Sequence, residues 1–369
     1  MSAAPVSPEA GAFFSAHWES LLSLYYLSHI GGLGDIVTEE AREKLPGARL
    51  LSSEFGRQHL AYDGDPSLLL ELRTIENAVV LVRAFEGVRP GMEWLDELEA
   101  ALSATDLQPM LEAVRRVRPV GEPPRFRVTA ERIGTHEFTS QQAAGFAGAG
   151  VIAATGWPVS LQDYEIEVLL EIREDRALVG VRLSETALHK RSRVVHPRVT
   201  LNPTLAAAMV RVSEPAPGQI VMDPLCGGGT ILIERHAYDR DVMLIGADLF
   251  AEKVAIARQN LEALGIEAPL LQADATRLPL KDGSVDRFIC NPPWGNLIGD
   301  KRVNRRLYPW MLGHMRRCLK PNGLIVLLTS ERRLVRRFVE KYADIRQVSA
   351  RRLSVGGLAP SLFVLRKTQ

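Results

Sequence analysis

From Leu201 to the C-terminus, short apolar runs alternate with stretches of helical period. The runs are Gln219–Met222, Met243–Ala247, Leu270–Gln272, Phe288–Cys290 and Leu324–Leu328. Between them the pattern predicts helices at Gly229–His236, Ala251–Leu264, Asn304–Leu319 and Arg332–Tyr342. Strands that are apolar throughout and separated by helices are buried on both faces, as in a parallel sheet between two helix layers. The last part differs: Ile345–Arg351 and Ser361–Arg366 flank Gly356-Gly357 and predict an antiparallel hairpin at the sheet edge.

The N-terminal half has shorter periods. Residues 1–19 carry alanine, serine and proline without a period, which predicts a flexible tail. Strand-like Ser23–Ser28, helical Asp35–Leu45, strands at Ala48–Ser53 and Gln58–Tyr62, a helix near Pro66–Leu72 and a strand at Asn77–Phe85 follow. That β-α-β-β-α-β order predicts a ferredoxin-like domain over residues 20–118. Helical segments between Trp94 and Val117 lead to Pro119-Val120-Gly121-Glu122-Pro123-Pro124, whose composition predicts a linker over residues 119–125. A second small α+β unit then begins with alternating Phe126–Arg132, a helix from Thr139 to Thr155, and strands at Tyr164–Val168 and Ala177–Val181. It closes with Leu188-His189-Lys190-Arg191-Ser192-Arg193.

A chain of 369 residues has room for two or three domains. Its 46% hydrophobic and 24% charged residues exclude a disordered class, and no apolar run reaches the roughly 18 residues that cross a bilayer. With no basic region before an apolar stretch at the N-terminus, a cytoplasmic, monomeric protein is the expectation. The widely spaced Cys226, Cys290 and Cys318 and the eight histidines form no metal-ligand spacing, so no metal site is expected. The net charge of +1 hides an asymmetry. Residues 1–118 hold 10 basic and 18 acidic side chains, leaving the basic excess to the remainder. Such polarity marks either a nucleic-acid face or a solvated surface.

Candidate chemistry gathers where the apolar runs end. Asn291-Pro292-Pro293-Trp294 follows Phe288–Cys290, and two prolines force a stiff extended turn at that strand's carboxyl end, the edge where open α/β sheets bind ligands. It offers an amide, backbone carbonyls and a large ring, which suit a planar group bearing an NH2; a purely structural turn is the alternative. Asp223-Pro224-Leu225-Cys226-Gly227-Gly228-Gly229-Thr230 joins the first strand to its helix, where glycines let backbone N–H groups approach a ligand. It lacks the Gly-Lys-Ser/Thr ending of a phosphate loop, and Leu232 stands where a dinucleotide fingerprint needs its third glycine. Asp248 closes the second strand and is placed to accept from two ribose hydroxyls; Asp274 closes the third and is placed to accept from an adenine amine. Alone, each acid also reads as a helix N-cap.

Two family resemblances follow from these residues. Residues 200–369 resemble the class I S-adenosylmethionine-dependent methyltransferases. The resemblance implies a Rossmann-like sheet in which Asp223, Gly227 and Gly229 hold the methionine part, Asp248 the ribose and Asp274 the adenine. Cys226, Thr230, Ala275 and Asn291 complete the implied cofactor set. Asn291-Pro292-Pro293-Trp294 resembles the [DN]PP[YFW] motif of enzymes that methylate exocyclic or amide nitrogens, which makes all four its candidate catalytic residues. Acceptors at Asn291 Oδ1 and the Pro292 carbonyl would draw the amino nitrogen toward sp3 geometry, with Trp294 stacked on the base.

The strand FRVTAER, Gly134 and His136, the helix from Ser140, VGVRL and LHKR resemble the THUMP RNA-binding domain, placed at residues 126–192. Together the halves resemble the THUMP-containing tRNA guanine-N2-methyltransferases, which implies tRNA as partner, S-adenosyl-L-methionine as cofactor, the sixth nucleotide of the acceptor stem as target, and flipping of the base. Trp294 departs from the family's more usual tyrosine or phenylalanine. Candidate RNA contacts are Arg127, Arg132, Lys190, Arg191 and Arg193, with Lys301, Arg302, Arg305 and Arg306 after the catalytic turn. Other RNA amino-methyltransferases (rRNA guanine-N2 or adenine-N6) and a protein glutamine N-methyltransferase share the turn chemistry and remain alternatives.

Overall fold

The computed structural model describes residues 24–191, 200–295 and 301–368. The predicted tail at residues 1–19 lies outside them. The chain divides into two compact units, one of residues 1–29 and 37–188 and one of residues 30–36 and 189–369.

The first unit holds a seven-stranded sheet in the order β2-β3-β1-β4-β7-β6-β5. Its strands are β1 Leu24–Ser28, β2 Arg49–Glu54, β3 Arg57–Ala61, β4 Asn77–Glu86, β5 Phe126–Ile133, β6 Ile166–Arg173 and β7 Arg176–Arg182. Helix α1 (Gly34–Lys44) follows β1, and a 3₁₀ turn (Pro66–Glu71) stands where the second ferredoxin-like helix is expected. Pro66 opens that turn and the Asp65 carboxylate caps it, but six residues give no second turn of α-helix. Pairings β1–β3, β1–β4 and β2–β3 are antiparallel, which is the ferredoxin-like order.

β4 also pairs with β7 along its length, so the predicted linker at 119–125 does not separate two bodies. Proline and glycine there fix an irregular path, while Glu165 accepts from the Gly121 and Arg125 backbone N–H groups and holds that path down. Helices α2 (Glu93–Ser103) and α3 (Gln108–Arg115) precede the linker, and α4 (Ser140–Thr155) follows it, opened by a capping box between Thr139 and Gln142. α4 lies against α2 so closely that a Cβ on Gly150 would stand 2.7 Å from the Glu99 carbonyl. Along β1 the strand period is direct: Tyr25 and Leu27 enter the large cluster with the helices, and Tyr26 enters the small one with Val79 and Leu81.

The second unit is the expected doubly wound sheet, in the order β10-β9-β8-β11-β12-β14-β13. Its parallel strands are β8 Gln219–Asp223, β9 Val242–Asp248, β10 Leu270–Gln272, β11 Val285–Cys290 and β12 Leu319–Thr329. β13 (Ile345–Arg352) and β14 (Ser361–Lys367) are antiparallel, as the hairpin pattern predicts. Helices α5 (Pro203–Arg211), α6 (Thr230–Tyr238), α7 (Ala251–Glu262), α8 (Lys301–Cys318) and α9 (Arg332–Lys341) cover the sheet, with one apolar cluster on each side. Asn202 caps α5, accepting from Thr204 N. Residues 30–36 belong here: Gly31 pairs with Ser354, and Asp35 forms an ion pair with Arg351. No described helix is long and apolar enough to cross a membrane.

Candidate active site

β8 runs between β9 and β11, and the order in which strands are added reverses at that point: the sheet grows through β9 to β10 on one side and through β11 to β12 on the other, all five strands parallel. The carboxyl ends of β8 and β11 flank the crevice this creates, where open α/β sheets bind ligands.

The glycine loop after β8 is held at several points. Cys226 N–H donates to the Ala247 carbonyl at 2.8 Å, tying the loop to the end of β9. Gly227 N–H donates to Asp248 Oδ2 at 3.0 Å, and buried Asn260 donates from Nδ2 to the Gly228 carbonyl at 3.0 Å. Gly227 and Gly229 stand at φ 51° and 82°, left-handed conformations that favour glycine. A Cβ at Gly227 would meet nothing within 4 Å, so the loop faces open space on that side. Thr230 is buried at the first position of α6.

Asp223 is 2% exposed and its Oδ1 accepts from Leu225 N–H at 3.1 Å. Burial, with the charge of Asp248 nearby, pushes its carboxyl up to about 8. Burial likewise raises the Cys226 and Cys290 thiols, which stay protonated; all three cysteines are free and buried. Asp248 is half-buried and its Oδ1 accepts from Phe250 N–H, leaving further lone pairs on both oxygens. Asp274 is exposed and caps a 3₁₀ turn, its Oδ1 accepting from Thr276 N–H and Oγ1, with Ala275 buried behind it. Phe250, 63% exposed two residues after Asp248, is a ring that the sequence reading passed over. A buried neutral carboxyl, an open glycine cradle and strand-end carboxylates fit the polar and cationic groups of S-adenosylmethionine.

At the end of β11, the Asn291-Pro292-Pro293-Trp294 turn is fixed from below. The Pro293 carbonyl accepts from Asn304 Nδ2 and from Tyr308 Oη, each at 3.0 Å. Tyr308 and Thr329 hydroxyls lie 2.5 Å apart, Thr329 Oγ1 accepts from Glu331 N–H at 2.9 Å, and Asn304 Nδ2 also donates to Glu331 Oε1 at 3.0 Å. Asn304, Tyr308 and Thr329 are all fully buried. Burial raises the Tyr308 phenol far above its ordinary range, which keeps it a donor. No motif marks this group in the sequence. Its signal was Asn304 and Tyr308, four apart on one face of a helix that is otherwise apolar where buried.

Trp294, expected to stack on the base, makes contacts of its own. It is half-buried against the apolar cluster, and its Nε1–H donates to Asn291 Oδ1 at 3.0 Å and to the Leu328 carbonyl at 3.1 Å. The expected acceptor Asn291 Oδ1 therefore already holds one hydrogen bond, and the Pro292 carbonyl accepts none from the described residues.

The basic candidates divide. Lys301, Arg302, Arg305 and Arg306 are exposed on the first turns of α8, a helix without an acidic residue, and Trp310 on the same helix is 65% exposed. Lys190 is exposed. Arg191 is not a free surface cation: it donates from Nε and Nη2 to buried Glu234, at 3.2 and 3.3 Å. Arg127 is likewise engaged, with Glu167 at 2.6 Å and its guanidinium 4.0 Å above the Tyr164 ring. Arg132 donates to the Gly134 carbonyl and lies beside His136. Arg193 lies outside the described residues.

Comparison with known proteins agrees with this geometry. Residues 190–361 match the RMKL-like methyltransferase domain family, and residues 104–182 match the THUMP domain family. The THUMP match begins before α3 and ends with β7, earlier at both ends than the expected 126–192. The human tRNA (guanine(6)-N(2))-methyltransferase THUMP3 is 34% identical over 66% of this chain and 51% of its own length. The chain thus spans about half the length of that relative. The tRNA (guanine(6)-N2)-methyltransferase of Thermus thermophilus is 35% identical over 66% of this chain and 72% of its own. The crystal structure of TrmN from Thermus thermophilus superposes with a TM-score of 0.80 at 29% identity, covering 93% of this chain and 99% of that one. The chain belongs to the family of THUMP-domain methyltransferases that includes the Thermus thermophilus tRNA (guanine(6)-N2)-methyltransferase.

Proposed function

We propose that this protein transfers a methyl group from S-adenosyl-L-methionine to the exocyclic N2 amine of a guanine in tRNA, at the sixth nucleotide of the acceptor stem. The observation that carries the reading is the placement of the Asn291-Pro292-Pro293-Trp294 turn and the glycine loop at the carboxyl ends of adjacent strands β11 and β8, in a chain that also carries a THUMP match. The bound cofactor supplies an electrophilic methyl group on a sulfonium. Asp223 and the backbone of residues 226–229 hold its amino-acid part, Asp248 the ribose, and Asp274 with Ala275 the adenine. Thr230 and Asn291 complete the cofactor set in this reading.

A guanine N2 amine is a poor nucleophile because its lone pair is delocalised into the ring. Asn291 Oδ1 and the Pro292 carbonyl accept from its two hydrogens, and these bonds strengthen as positive charge develops on nitrogen during attack. The stiff Pro-Pro backbone keeps both acceptors in place before the reaction, so little reorganisation is needed. A paired guanine cannot reach this crevice inside a helix, so it leaves the stack first. The exposed cations of α8, with Lys190, hold backbone phosphates, and Trp310 offers a ring beside them. We read the enzyme as a monomer acting in the cytoplasm.

The test is incubation with labelled S-adenosylmethionine and unmodified tRNA, followed by nucleoside and position analysis. N2-methylguanosine at position 6 is the expected product. N6-methyladenosine, or label confined to rRNA or to protein, would replace this reading with the corresponding alternative.

A further inference from the structure

We propose that Trp294 is a positioning residue that fixes which face of the Asn291 amide meets the substrate amine. This rests on Asn291 being the acceptor assigned above, and it concerns how that acceptor is aimed.

The backbone of the turn has little freedom left. Pro292 and Pro293 each have φ set by their rings, and the Pro293 carbonyl is held by Asn304 and Tyr308. The amide rotation of Asn291 is not fixed by these backbone restraints. Its two ends have nearly the same shape and opposite chemistry, because Oδ1 accepts and Nδ2 donates. Presented with Nδ2, an amino substrate would meet donor against donor, and the interaction expected to draw the nitrogen toward sp3 geometry would become a repulsion.

The indole N–H of Trp294 resolves this, because it can only donate. It lies 3.0 Å from Asn291 Oδ1 and 3.1 Å from the carbonyl of Leu328, which sits next to the last residue of β12. Leu328 belongs to a central strand, so its carbonyl anchors the indole, and the indole selects the oxygen end of the amide. An amide oxygen has two lone pairs; one is used by the indole and one remains for the substrate. Phenylalanine at this position supplies no donor. Tyrosine supplies a hydroxyl that pairs with either end of the amide, so it does not choose. A carboxylate in place of the Asn291 amide would need no choice, since both of its ends accept.

That last point gives the test. Turnover on unmodified tRNA is measured by rapid-quench methylation with labelled S-adenosylmethionine, using the full chain and four variants: W294F, N291D, N291D/W294F and N291A. Thermal melting and cofactor calorimetry verify that each is folded and loaded. W294F is expected to lower kcat about tenfold, short of the roughly hundred- to thousandfold loss of an aimed donor or acceptor, with KM for tRNA unchanged. N291D is expected to keep turnover within about tenfold of wild type, and adding W294F to it should cost less than about twofold. An equal cost of W294F in the wild-type and N291D backgrounds would overturn the proposal, because the ring would then act through packing or stacking alone. So would an inactive but folded N291D, or a W294F enzyme with full turnover. Full turnover in N291A would instead remove Asn291 as acceptor, and with it the reading on which the proposal rests.

Discussion

Asp223, at the start of the glycine loop, ties proton binding to burial. Its carboxyl is pushed by burial from an ordinary value of 3.8 up to about 8. Between those values the folded protein holds a proton that the unfolded chain has released, so the ligand-free fold loses stability as pH rises from about 4 to about 8. Urea midpoints measured across that range should fall with pH in the wild type and lose this component in Asp223→Asn. A cationic amino-acid group placed against Asp223 favours the carboxylate, so cofactor binding at pH 7 should release a proton. Calorimetry in two buffers of different ionisation enthalpy detects that release, and Asp223→Asn should abolish it.

Arg191 is a residue whose role sequence alone could not settle. In LHKRSR it reads as one more basic side chain in a run, yet it pairs with Glu234, 43 positions away on α6. Removing one side of a mostly buried ion pair weakens the compensation of the other, so Arg191→Ala should lower stability by up to about 3 kcal/mol in urea unfolding. A loss of tRNA affinity with unchanged stability would return Arg191 to the RNA surface. The Trp294 contact was hidden for the same reason, since its second acceptor lies 34 residues along the chain. The places of Asp248, Asn291 and the glycine loop at the ends of β9, β11 and β8 were legible because each follows its own apolar run.

At the scale of elements, α8 joins two tasks. Its buried side presents Asn304 and Tyr308 to the Pro293 carbonyl, while its first turns expose Lys301, Arg302, Arg305 and Arg306. In the proposed function, the RNA-facing cations and the support of the turn therefore share one helix. Arg305→Glu/Arg306→Glu should weaken tRNA binding and flatten its dependence on salt by roughly one logarithmic unit per lost phosphate contact, with cofactor affinity unchanged. Filter binding at several salt concentrations measures both quantities; an unaltered slope would take this face of α8 out of the RNA surface. Helical period and composition located α8 and its charge, but the side it buries is settled by β12 and the proline turn.

For the whole molecule, the second unit was legible nearly strand by strand, because parallel strands buried on both faces announce themselves as unbroken apolar runs. The first unit was legible in its elements and not in its division. Proline and glycine at 119–125 report local backbone shape, whereas the continuity of the sheet depends on β4 meeting β7, about a hundred residues apart. A fragment beginning at Pro119 would leave β7 without its β4 partner and α4 without α2. It should aggregate in light scattering at concentrations where the full chain stays monodisperse; a well-behaved, folded fragment would show that the linker is a true boundary.

Residues 30–36 group with residues 189–369, and the Gly32 carbonyl accepts from Arg351, 319 positions later. A ribosome adding roughly 5 to 20 residues per second needs on the order of 15 to 65 s to travel that distance. The seven-residue segment therefore leaves the exit tunnel long before its partner strand has been made. Its neighbours can begin to fold during that wait, and the segment is seated only after β13 has been made, so synthesis rate and the assembly of this enzyme are linked through one short stretch of chain.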